Sequence, residues 1–518
     1  MKISWVIAIC LTCSPVVGQA QKEAPPSETP SVDGAVQETS ETDSTDDGWG
    51  EDEDDGGDGF DFDEASAEPA PVRKRRNWSL IGVFQTREGF WLERLETDPI
   101  ATLKSSYDLK FDFRKKPWRV RSRLHAEYDS AYTFGPRHDA ATREVYEYQL
   151  VVGDQFVARS LGNFEFTMGR QTVVWGEGNM LPLVDVINPR DQREPGIGDI
   201  ETSRLAVLGT RVGYFVGAHR FEAMVVHELN LGLRPSPMSE FSPLADLLVR
   251  DPAAASILEG KTLRLGEVEE PFHPRNWGGF LRWVYKGRGL DLGLYGGWLP
   301  DKQGVLALDV DTLMAFLTET KITLPLEYPR YFMAGHSGAT STGSWTFKWE
   351  LLGEIGKSFN TGGFEGGELP GVDKTTVITG MLGTAWQGPD DTTVMFEISR
   401  GVFVDRPDGL LYPLDATVWA VRYGKLAMKQ KLNFDVVGTA MGLAAQYGWL
   451  IRAEVGYAVR DGLKASVAAV HYGSGHDSLG EPFKAEDGSE ISPFSGLKTH
   501  DLLLGALRWD YDFVEGRK

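Results

Sequence analysis

From residue 78 onward, apolar and polar positions alternate with a period of two. In 118–129 the odd positions are charged, whereas the even positions are mostly apolar and include the aromatic residues Trp118 and Tyr128. A strand with one charged face and one apolar face gives this pattern, and a helix would spread it around its surface. The same alternation recurs at 103–114, 345–351, 451–457 and 507–513. The sequence therefore predicts a protein built mainly of β-strands.

Short and long connections alternate between these predicted strands. Short links fall near 114–117, 158–162, 216–219, 286–289, 339–343, 387–390 and 460–462. Long segments fall near 132–142, 176–203, 230–274, 300–327, 358–371, 405–414 and 474–497. The stretch 415–446 is an exception, because both of its connections look short. Soluble sandwiches also alternate in polarity, but short turns at one end and long loops at the other are typical of outer-membrane barrels.

We therefore predict an all-β protein, a transmembrane antiparallel up-and-down β-barrel of roughly 18 strands, over residues 78–518. Closure of the sheet leaves no unpaired main-chain group in lipid. An even number of strands places both termini in the periplasm. Outside the first 20 residues, no apolar run approaches the ~18 residues that a transmembrane helix needs.

Residues 1–20 have the composition of a bacterial signal peptide. Lys2 precedes an apolar stretch, and Gly18-Gln19-Ala20 provides small residues for cleavage. Both cysteines, Cys10 and Cys13, lie in this segment. The predicted mature chain therefore has no thiol for a disulfide, for catalysis or for a cysteine zinc site.

Residues 21–77 are predicted to form a disordered, acidic, periplasmic tail that ends in the basic cluster 73–76. Residues 21–70 carry 18 Asp and Glu against one Lys, so most of the formal net charge of -22 lies in the tail. Trp49, Phe60 and Phe62 interrupt the acidic run. Either the tail is a solvated spacer, or these aromatic residues dock it on a periplasmic export or envelope protein. An EF-hand-like start at 51–56 lacks its final Glu, so no metal site is predicted.

Enzyme chemistry finds little support in the sequence. Residues 335–339 resemble the nucleophile elbow of hydrolases, but another strand follows where that elbow requires a helix. The nine His residues are scattered, and His125, on the charged face of a strand, is expected in the barrel lumen. We predict no catalytic residue, no metal, no cofactor and no nucleic-acid binding.

The densest local motif runs from the end of a predicted strand into a long outer loop. It consists of Gly169-Arg170-Gln171, Trp175-Gly176-Glu177 and Ile187-Asn188-Pro189. It resembles the GRQ…WGE…INP signature of a family of proteobacterial outer-membrane barrels without an assigned function. More distantly, the GRQ element and the chain length resemble the alginate-export type of porin. The first resemblance implies a porin-like barrel, and the more distant resemblance to the alginate-export type of porin implies export.

A loop rich in Trp, Pro, Arg and Glu at a barrel mouth can fold inward and narrow the pore. The predicted constriction residues are Arg170, Glu177, Arg190, Asp191, Arg193 and Glu194 in this region, and Arg119, Arg121 and Arg123 on the charged face of a strand. Two interpretations stay open. These residues select what passes, or they pair with each other and with the wall and only shape the loop.

The predicted function is a passive conduit in the outer membrane, in contact with its lipid. We expect it to export a polymer such as a polysaccharide, or else hydrophobic small molecules, with the tail recruiting a periplasmic partner. The alternative is a non-conducting barrel that anchors an envelope complex, and an enzyme barrel is a third hypothesis. The sequence does not determine the oligomeric state.

Overall fold

Each barrel strand pairs antiparallel with the next barrel strand along the chain, and the first pairs with the last. Trp78 lies opposite Phe113 in the first hairpin, and Ile81 lies opposite Asp512 where the sheet closes. The computed structural model describes residues 77–134, 138–198, 203–242, 258–362, 371–410, 412, 415–475, 497 and 500–513. Within these residues the protein is a closed antiparallel barrel of 18 strands, which confirms the predicted fold class and strand number.

The strands of the barrel wall occupy most of the described chain. They are β1 (Trp78–Trp91), β2 (Ile100–Lys115), β3 (Trp118–Asp129), β4 (Tyr148–Leu161), β5 (Phe164–Gln171), β6 (Val207–Val216), β7 (His219–Val226), β9 (Gly278–Gly287), β10 (Leu290–Pro300), β14 (Arg330–Thr342), β15 (Trp345–Thr361), β16 (Gly371–Gly388), β17 (Thr392–Phe403), β18 (Ala416–Ala427), β19 (Leu432–Met441), β20 (Trp449–Arg460), β21 (Leu463–Gly473) and β22 (Leu502–Asp512). Four short strands lie outside the wall, namely β8 (Thr262–Leu265), β11 (Val305–Leu306), β12 (Lys321–Leu324) and β13 (Leu326–Glu327).

The wall has an apolar outer face and a polar inner face. On β3, Trp118, Leu124 and Tyr128 are exposed, whereas Glu127 and Asp129 are buried. A closed ladder satisfies the main-chain groups internally, and in a membrane the exposed apolar side chains meet lipid. The predicted alternation on this strand, with the charged residues facing inward, is confirmed.

The connections at the two ends of the barrel differ in length. Those at one end, such as 116–117 and 461–462, have two to four residues, and those at the other have seven or more. We call these the short-turn end and the long-loop end. The predicted alternation of short and long connections is confirmed. The stretch 415–446, where both connections look short in the sequence, contains the link 428–431 and the start of the link 442–448. Both β1 and β22 have their free ends at the short-turn end, whose periplasmic placement stays a prediction.

The loops at the long-loop end contain short helices and two small sheets. They are the helices α1 (Ala140–Tyr146) and α2 (Val310–Thr318), the 3-10 helices Ser130–Tyr132 and Pro274–Asn276, and two small sheets that pair β8 with β12 and β11 with β13. The carboxylates of Asp139 and Asp309 accept main-chain hydrogen bonds at the starts of α1 and α2, as helix caps. Among the described residues, no helix combines the length and apolarity needed to cross a membrane.

Several predictions concern positions that the structure does not describe. They are the signal peptide of 1–20, the tail up to residue 76, and the docking residues Trp49, Phe60 and Phe62. All of them stay predictions.

Deleting residues 21–70 is expected to leave the barrel folded and inserted in the membrane. Closure of the wall uses the pairing of β1 with β2 and β22, which begins at Trp78. Heat-modifiable migration in gels measures the compact form, and we expect the same fraction as in the full mature chain. Loss of the compact form on deletion would show that the tail takes part in folding.

Candidate functional site

The connection between β5 and β6 folds into the barrel. We call its described parts, residues 172–198 and 203–206, the inner loop. Trp175, Met180 and Ile187 of this loop are at most 1% exposed. They pack in two apolar clusters with inward-facing side chains of the wall. The inner loop therefore fills part of the lumen, as expected from its composition.

The residues Gly169, Arg170 and Gln171 fix the base of the inner loop. At Gly169 the φ angle is 129°, and an added Cβ atom would lie 2.2 Å from the main-chain oxygen of Gln155. Only glycine fits there. Arg170 donates hydrogen bonds to the Ala206 oxygen (2.7 Å) and to Glu228 (2.6 Å). The GRQ element thus joins the start of the inner loop to its end.

Asn188, within the loop, also joins the start of the inner loop to its end. Its Oδ1 accepts a hydrogen bond from the Val173 N–H (2.9 Å), and its Nδ2 donates to the Leu205 oxygen (2.7 Å). A buried side-chain amide that pairs with both ends of a loop satisfies main-chain groups that have no ladder partner. The asparagine of the INP element is therefore a loop-closing residue.

The side chain of Glu350 on β15 holds residues 177–184 of the inner loop, because its carboxylate accepts hydrogen bonds from their main-chain N–H groups. Its Oε1 accepts from the N–H groups of Glu177 (2.6 Å) and Gly178 (2.7 Å), and its Oε2 accepts from those of Leu183 (2.6 Å) and Val184 (3.1 Å). Charge-assisted bonds of this kind are stronger than neutral ones. The Glu350 side chain is therefore the anchor of this segment.

The same carboxylate explains the glycine of the WGE element. Gly176 has a φ angle of 89°, and a Cβ atom there would lie 2.3 Å from Oε1 of Glu350 and 2.6 Å from Val184. Neither the backbone conformation nor the space accepts a side chain. Gly176 lets the main chain approach the wall closely enough for the hydrogen bonds to form.

Glu397 of β17 is a second anchor beside the first. Its carboxylate accepts hydrogen bonds from the N–H groups of Asn179 (2.8 Å), Met180 (2.8 Å) and Leu181 (2.7 Å). Lys348 of β15 adds a hydrogen bond from its Nζ to Oδ1 of Asn179 at 2.6 Å. Glu397 is the sixth residue of its 12-residue strand, so the loop reaches roughly half the height of the wall.

The later part of the inner loop contacts other sectors of the wall. Tyr472 of β21 donates a hydrogen bond to the Pro195 oxygen at 2.7 Å. Lys104 of β2 forms an ion pair with Glu194 at 2.8 Å. Since β2 and β21 lie far from β15 and β17 around the wall, the loop crosses the lumen.

The predicted residue Arg190 belongs to a buried ion pair within the inner loop. Asp185 accepts hydrogen bonds from both Arg190 and Arg204 at 2.8 Å. Burial lowers the pKa of Arg190 below its ordinary value, although the Asp185 carboxylate opposes this shift. This pairing fits the interpretation in which the charged residues shape the loop.

Arg193 and Asp191 connect the inner loop to β3 and to α1. Arg193 pairs with Asp191 at 2.6 Å and with Glu127 of the wall at 2.7 Å. Its own main-chain oxygen accepts a hydrogen bond from Tyr146 of α1 at 2.9 Å. The side chain is 3% exposed, so it holds the loop in place.

Glu194 faces two cations of the wall. In addition to Lys104, Arg87 of β1 lies 3.9 Å from its carboxylate. Burial raises the pKa of Glu194, but Lys104 and Arg87 lower it more, and the net result is below the ordinary value. The carboxylate is therefore ionised and holds this segment against β1 and β2.

Lys302 braces the inner loop from the long-loop end. Its Nζ donates hydrogen bonds to the main-chain oxygens of Val186, at 2.8 Å, and Ile187. Burial lowers the pKa of Lys302 to about 7. Sequence reasoning did not identify this residue, because no pattern marks which lysine of a long loop turns inward.

Arg119, Arg121 and Arg123 lie on the inner face of β3, near the short-turn end. Arg121 pairs with Asp112 at 2.9 Å, and Arg123 pairs with Asp108 at 3.1 Å. Their side chains are 19–33% exposed. The ion pairs described for these three arginines join them to Asp108, Asp112 and Asp154 of the wall. His125, two residues further along, also faces inward, against Asp108 (3.1 Å) and Glu127 (3.3 Å).

The predicted constriction residues therefore fall into two groups. One group, of Arg170, Arg190, Asp191, Arg193 and Glu194, forms ion pairs that hold or close the inner loop. Glu177 contributes its main-chain N–H to the Glu350 anchor. The other group is the arginine row of β3. Whether either group selects what passes stays a prediction.

Sequence reasoning missed Glu350 and Glu397. The alternation at 345–351 places Glu350 on the polar face of its strand, but an anchor and a solvated lumen residue look alike in that pattern. Only the tertiary contact of Glu350 with inner-loop residues about 170 positions earlier in the chain distinguishes an anchor from a solvated lumen residue. A signal that could have been used is the uncharged residues opposite these carboxylates on the neighbouring strands: Met381 lies opposite Glu350, and Gly383 and Ala420 lie opposite Glu397.

The serine of the elbow-like sequence is a wall residue. Ser337 lies within β14, and its hydroxyl contacts that of Tyr295 at 2.9 Å. The strand continues through residues 335–339, so the sharp turn of a nucleophile elbow is absent there. Among the described residues, no group of three or more His, Cys, Asp or Glu could hold a metal ion.

Replacing Arg121 by Glu is expected to shift the ion preference of the lumen toward cations. The change places a third carboxylate beside Asp112 and Asp154. Because these pairs are partly exposed, we expect thermal stability to change by no more than about 1 kcal/mol. Reversal potentials across a salt gradient measure the preference, and Arg121→Gln should give an intermediate value. An unchanged reversal potential would place Arg121 outside the ion path.

These observations define the class of the protein: it is a closed barrel with a long loop folded across its lumen. The chain belongs to the family described as "Protein of unknown function (DUF1302)", whose profile matches residues 97–487. No curated protein matches the chain. The GRQ…WGE…INP signature and the link to alginate export stay predictions.

The chain is also similar to solved structures of outer-membrane proteins. OccAB1 of Acinetobacter baumannii is 9% identical, with a TM-score of 0.45, and the match covers 84% of this chain and 97% of that one. OpdK of Pseudomonas aeruginosa is 11% identical, with a TM-score of 0.43 and coverage of 84% and 99%. A loop-deletion mutant of OmpT from Vibrio cholerae is 8% identical, with a TM-score of 0.37 and the same coverage. Similarity at this level carries no information about what this chain transports or binds.

Proposed function

We propose that the protein is a channel of the bacterial outer membrane whose bore is set by the inner loop. The observation that carries this proposal is the passage of the inner loop across a closed barrel, anchored on Glu350 and Glu397. The exposed apolar residues of the wall support a place in lipid. The outer membrane is the compartment in which closed barrels of this kind occur.

The inner wall favours polar cargo. Ion pairs between neighbouring strands recur around the lumen, as in Arg121 with Asp112 on one side and Arg422 with Asp435 on another. A hydrophobic molecule in contact with such a wall would desolvate charged groups, which is unfavourable. Of the two cargo classes predicted from the sequence, a hydrophilic polymer such as a polysaccharide is therefore the one we propose. Export and partner docking by the tail complete the proposal and rest on the sequence.

A non-conducting barrel that anchors an envelope complex is the second candidate. The observation in its favour is that the inner loop makes contacts with β15 and β17, with β21 and with β2 and β3. A loop with partners on so many sides resembles a plug. The two functions differ in whether ions pass.

Conductance of the purified mature protein in planar bilayers tests the proposal. We expect discrete current steps, and swelling of proteoliposomes with small neutral sugars but not with large ones. The experiment requires that the protein migrates as a heat-modifiable barrel, since unfolded protein would also be silent. A folded barrel that carries no current and admits no sugar would favour the anchoring function instead.

A further inference from the structure

His336 is a polar residue at the centre of the outer face of the wall. It is the seventh of the 13 residues of β14 (Arg330–Thr342). Its register neighbours are Leu294 on β10 and Leu351 on β15, which are 49% and 50% exposed. Ser337, the next residue of β14, is fully buried on the inner side. Because successive side chains of a strand point to opposite faces, the imidazole of His336 faces outward with the two leucines.

Aromatic residues of the outer face indicate the depth of His336 in the membrane. Phe332 lies opposite Trp298 toward the long-loop end, and Thr340 lies opposite Phe347 toward the short-turn end. His336 is four residues from Phe332 and four from Thr340, which is about 13 Å along the strand in each direction. Aromatic girdles flank the apolar band of a membrane barrel, which is about 25 Å tall. His336 therefore lies near the middle of that band.

No other described residue of this chemistry lies at this depth on the outer face. Among the described outward positions at least four residues from both ends of a wall strand, His336 alone belongs to the set His, Asp, Glu, Lys and Arg. Its imidazole lies beside the indole of Trp349, with ring centres 6.4 Å apart and planes at 21°. No hydrogen bond joins the imidazole to another described residue. The wall therefore exposes a polar ring to hydrocarbon.

A partner for His336 has to offer a hydrogen-bonding group at the same depth. Lipid chains offer none, and ionisable residues within a membrane usually face an interior or pair with one another. A neutral imidazole has one donor nitrogen and one acceptor nitrogen. Two imidazoles that meet at one depth therefore satisfy each other.

We propose that a second copy of this chain packs on the outer face of β14, where the two His336 side chains hydrogen-bond to each other. A two-fold axis along the membrane normal places both copies of a residue at one depth, so the contact is self-complementary. The outward neighbours of His336 on β14, Ala334 and Gly338, are small and do not shield the imidazole. The Trp349 ring packs directly on Gly338, where an added Cβ atom would lie 2.1 Å from it. This inference concerns assembly and does not depend on whether the barrel conducts.

The two-fold axis also determines which other residues meet. Since β10 and β15 lie on opposite sides of β14, Leu294 of one copy faces Leu351 of the second copy. Within one copy, these two leucines are two strand spacings apart, which is about 10 Å between their Cα atoms. A disulfide requires Cα atoms within about 7 Å of each other. Cysteines at positions 294 and 351 therefore cross-link only between copies.

The test is oxidative cross-linking of the variant that combines Leu294→Cys with Leu351→Cys, after refolding into lipid vesicles at low protein density. The predicted mature chain has no other cysteine. We expect heat-modifiable barrels that give a dimer band on non-reducing gels. The matched control combines Leu109→Cys with Val152→Cys, which flank Leu124 of β3 in the same way on another sector of the wall. It should stay monomeric.

The role of His336 is tested within the same cysteine pair. Replacing His336 by Leu should lower the cross-linked fraction about fivefold, the effect expected for one net hydrogen bond. His336→Gln keeps a donor and an acceptor and should retain most of the dimer. The heat-modifiable fraction should not fall in the Leu variant, because leucine suits a lipid-facing position. Should the cysteine pair fail to assemble, the number of bleaching steps of the unaltered, N-terminally labelled chain in vesicles distinguishes one copy from two.

Three results would overturn the inference. The first is cross-linking no greater than in the control pair, and the second is an equal cross-linked fraction with Leu at position 336. The third is a series of products larger than a dimer, since a two-fold contact is closed. A cross-linked barrel that carries no current would support this inference and contradict only the proposed channel.

Discussion

Replacing Glu350 and Glu397 together by Ala is expected to release the inner loop and to raise the single-channel conductance. The change removes the acceptors of seven main-chain N–H groups. A buried donor without an acceptor costs about 1–3 kcal/mol, so seven of them left in place would cost roughly 7–21 kcal/mol. If the loop detaches from the wall, its N–H groups can bond to water and this cost is avoided. Bilayer recordings measure the conductance, and heat-modifiable migration shows whether the barrel persists.

Two kinds of control variant make this prediction specific. Glu165→Ala also removes a carboxylate from the inner wall, but Glu165 pairs with Arg211 at 3.6 Å and belongs to β5. We expect it to leave the conductance near that of the parent. The Gln variants of Glu350 and Glu397 keep an acceptor oxygen and should lie between the parent and the Ala variant. A folded double-Ala barrel with the conductance of the parent would show that the inner loop does not set the bore.

Replacing Leu382 by Arg is expected to impair membrane assembly strongly. Leu382 faces outward from β16 and is 66% exposed, between Trp349 and Ile398 on the neighbouring strands. A lipid-facing Arg costs about 2–4 kcal/mol near the middle of the bilayer and less toward its edges. The measurement is the fraction of heat-modifiable protein after refolding into lipid vesicles.

Leu382→Ala is the matched control for the charge. It also removes the leucine side chain from this lipid-facing position but adds no charge, so we expect nearly normal assembly. Normal assembly of the Arg variant would mean that this face of β16 does not meet lipid. The outward assignment of the alternating residues would then need revision on this strand.

The wall of this protein was predictable from local pattern. On β3 the alternation of Arg119, Arg121 and Arg123 with apolar residues corresponds directly to the inner and outer faces of the barrel. A barrel strand has a side-chain period of two, and one of its faces meets lipid, so each strand carries its own signal. The number of strands follows from counting those signals and the turns between them.

The inner loop was predictable only in part. Its composition indicated a loop that folds inward, and the predicted residues Arg190, Arg193 and Glu194 do form ion pairs. The anchors Glu350 and Glu397 were not found, because their partners are main-chain N–H groups. Any residue supplies such a group, so the pairing leaves no mark in the sequence of the loop.

The sequence by itself thus determined the barrel, its two faces and its two unlike ends, since each depends on the spacing of residues along a single strand or turn. Only the tertiary structure decided where the inner loop lies and which wall residues hold it. Those contacts join Gly178 to Glu350 and Asn179 to Glu397 across long stretches of chain. They exist because closing the barrel brings distant strands around one lumen, which no local pattern encodes.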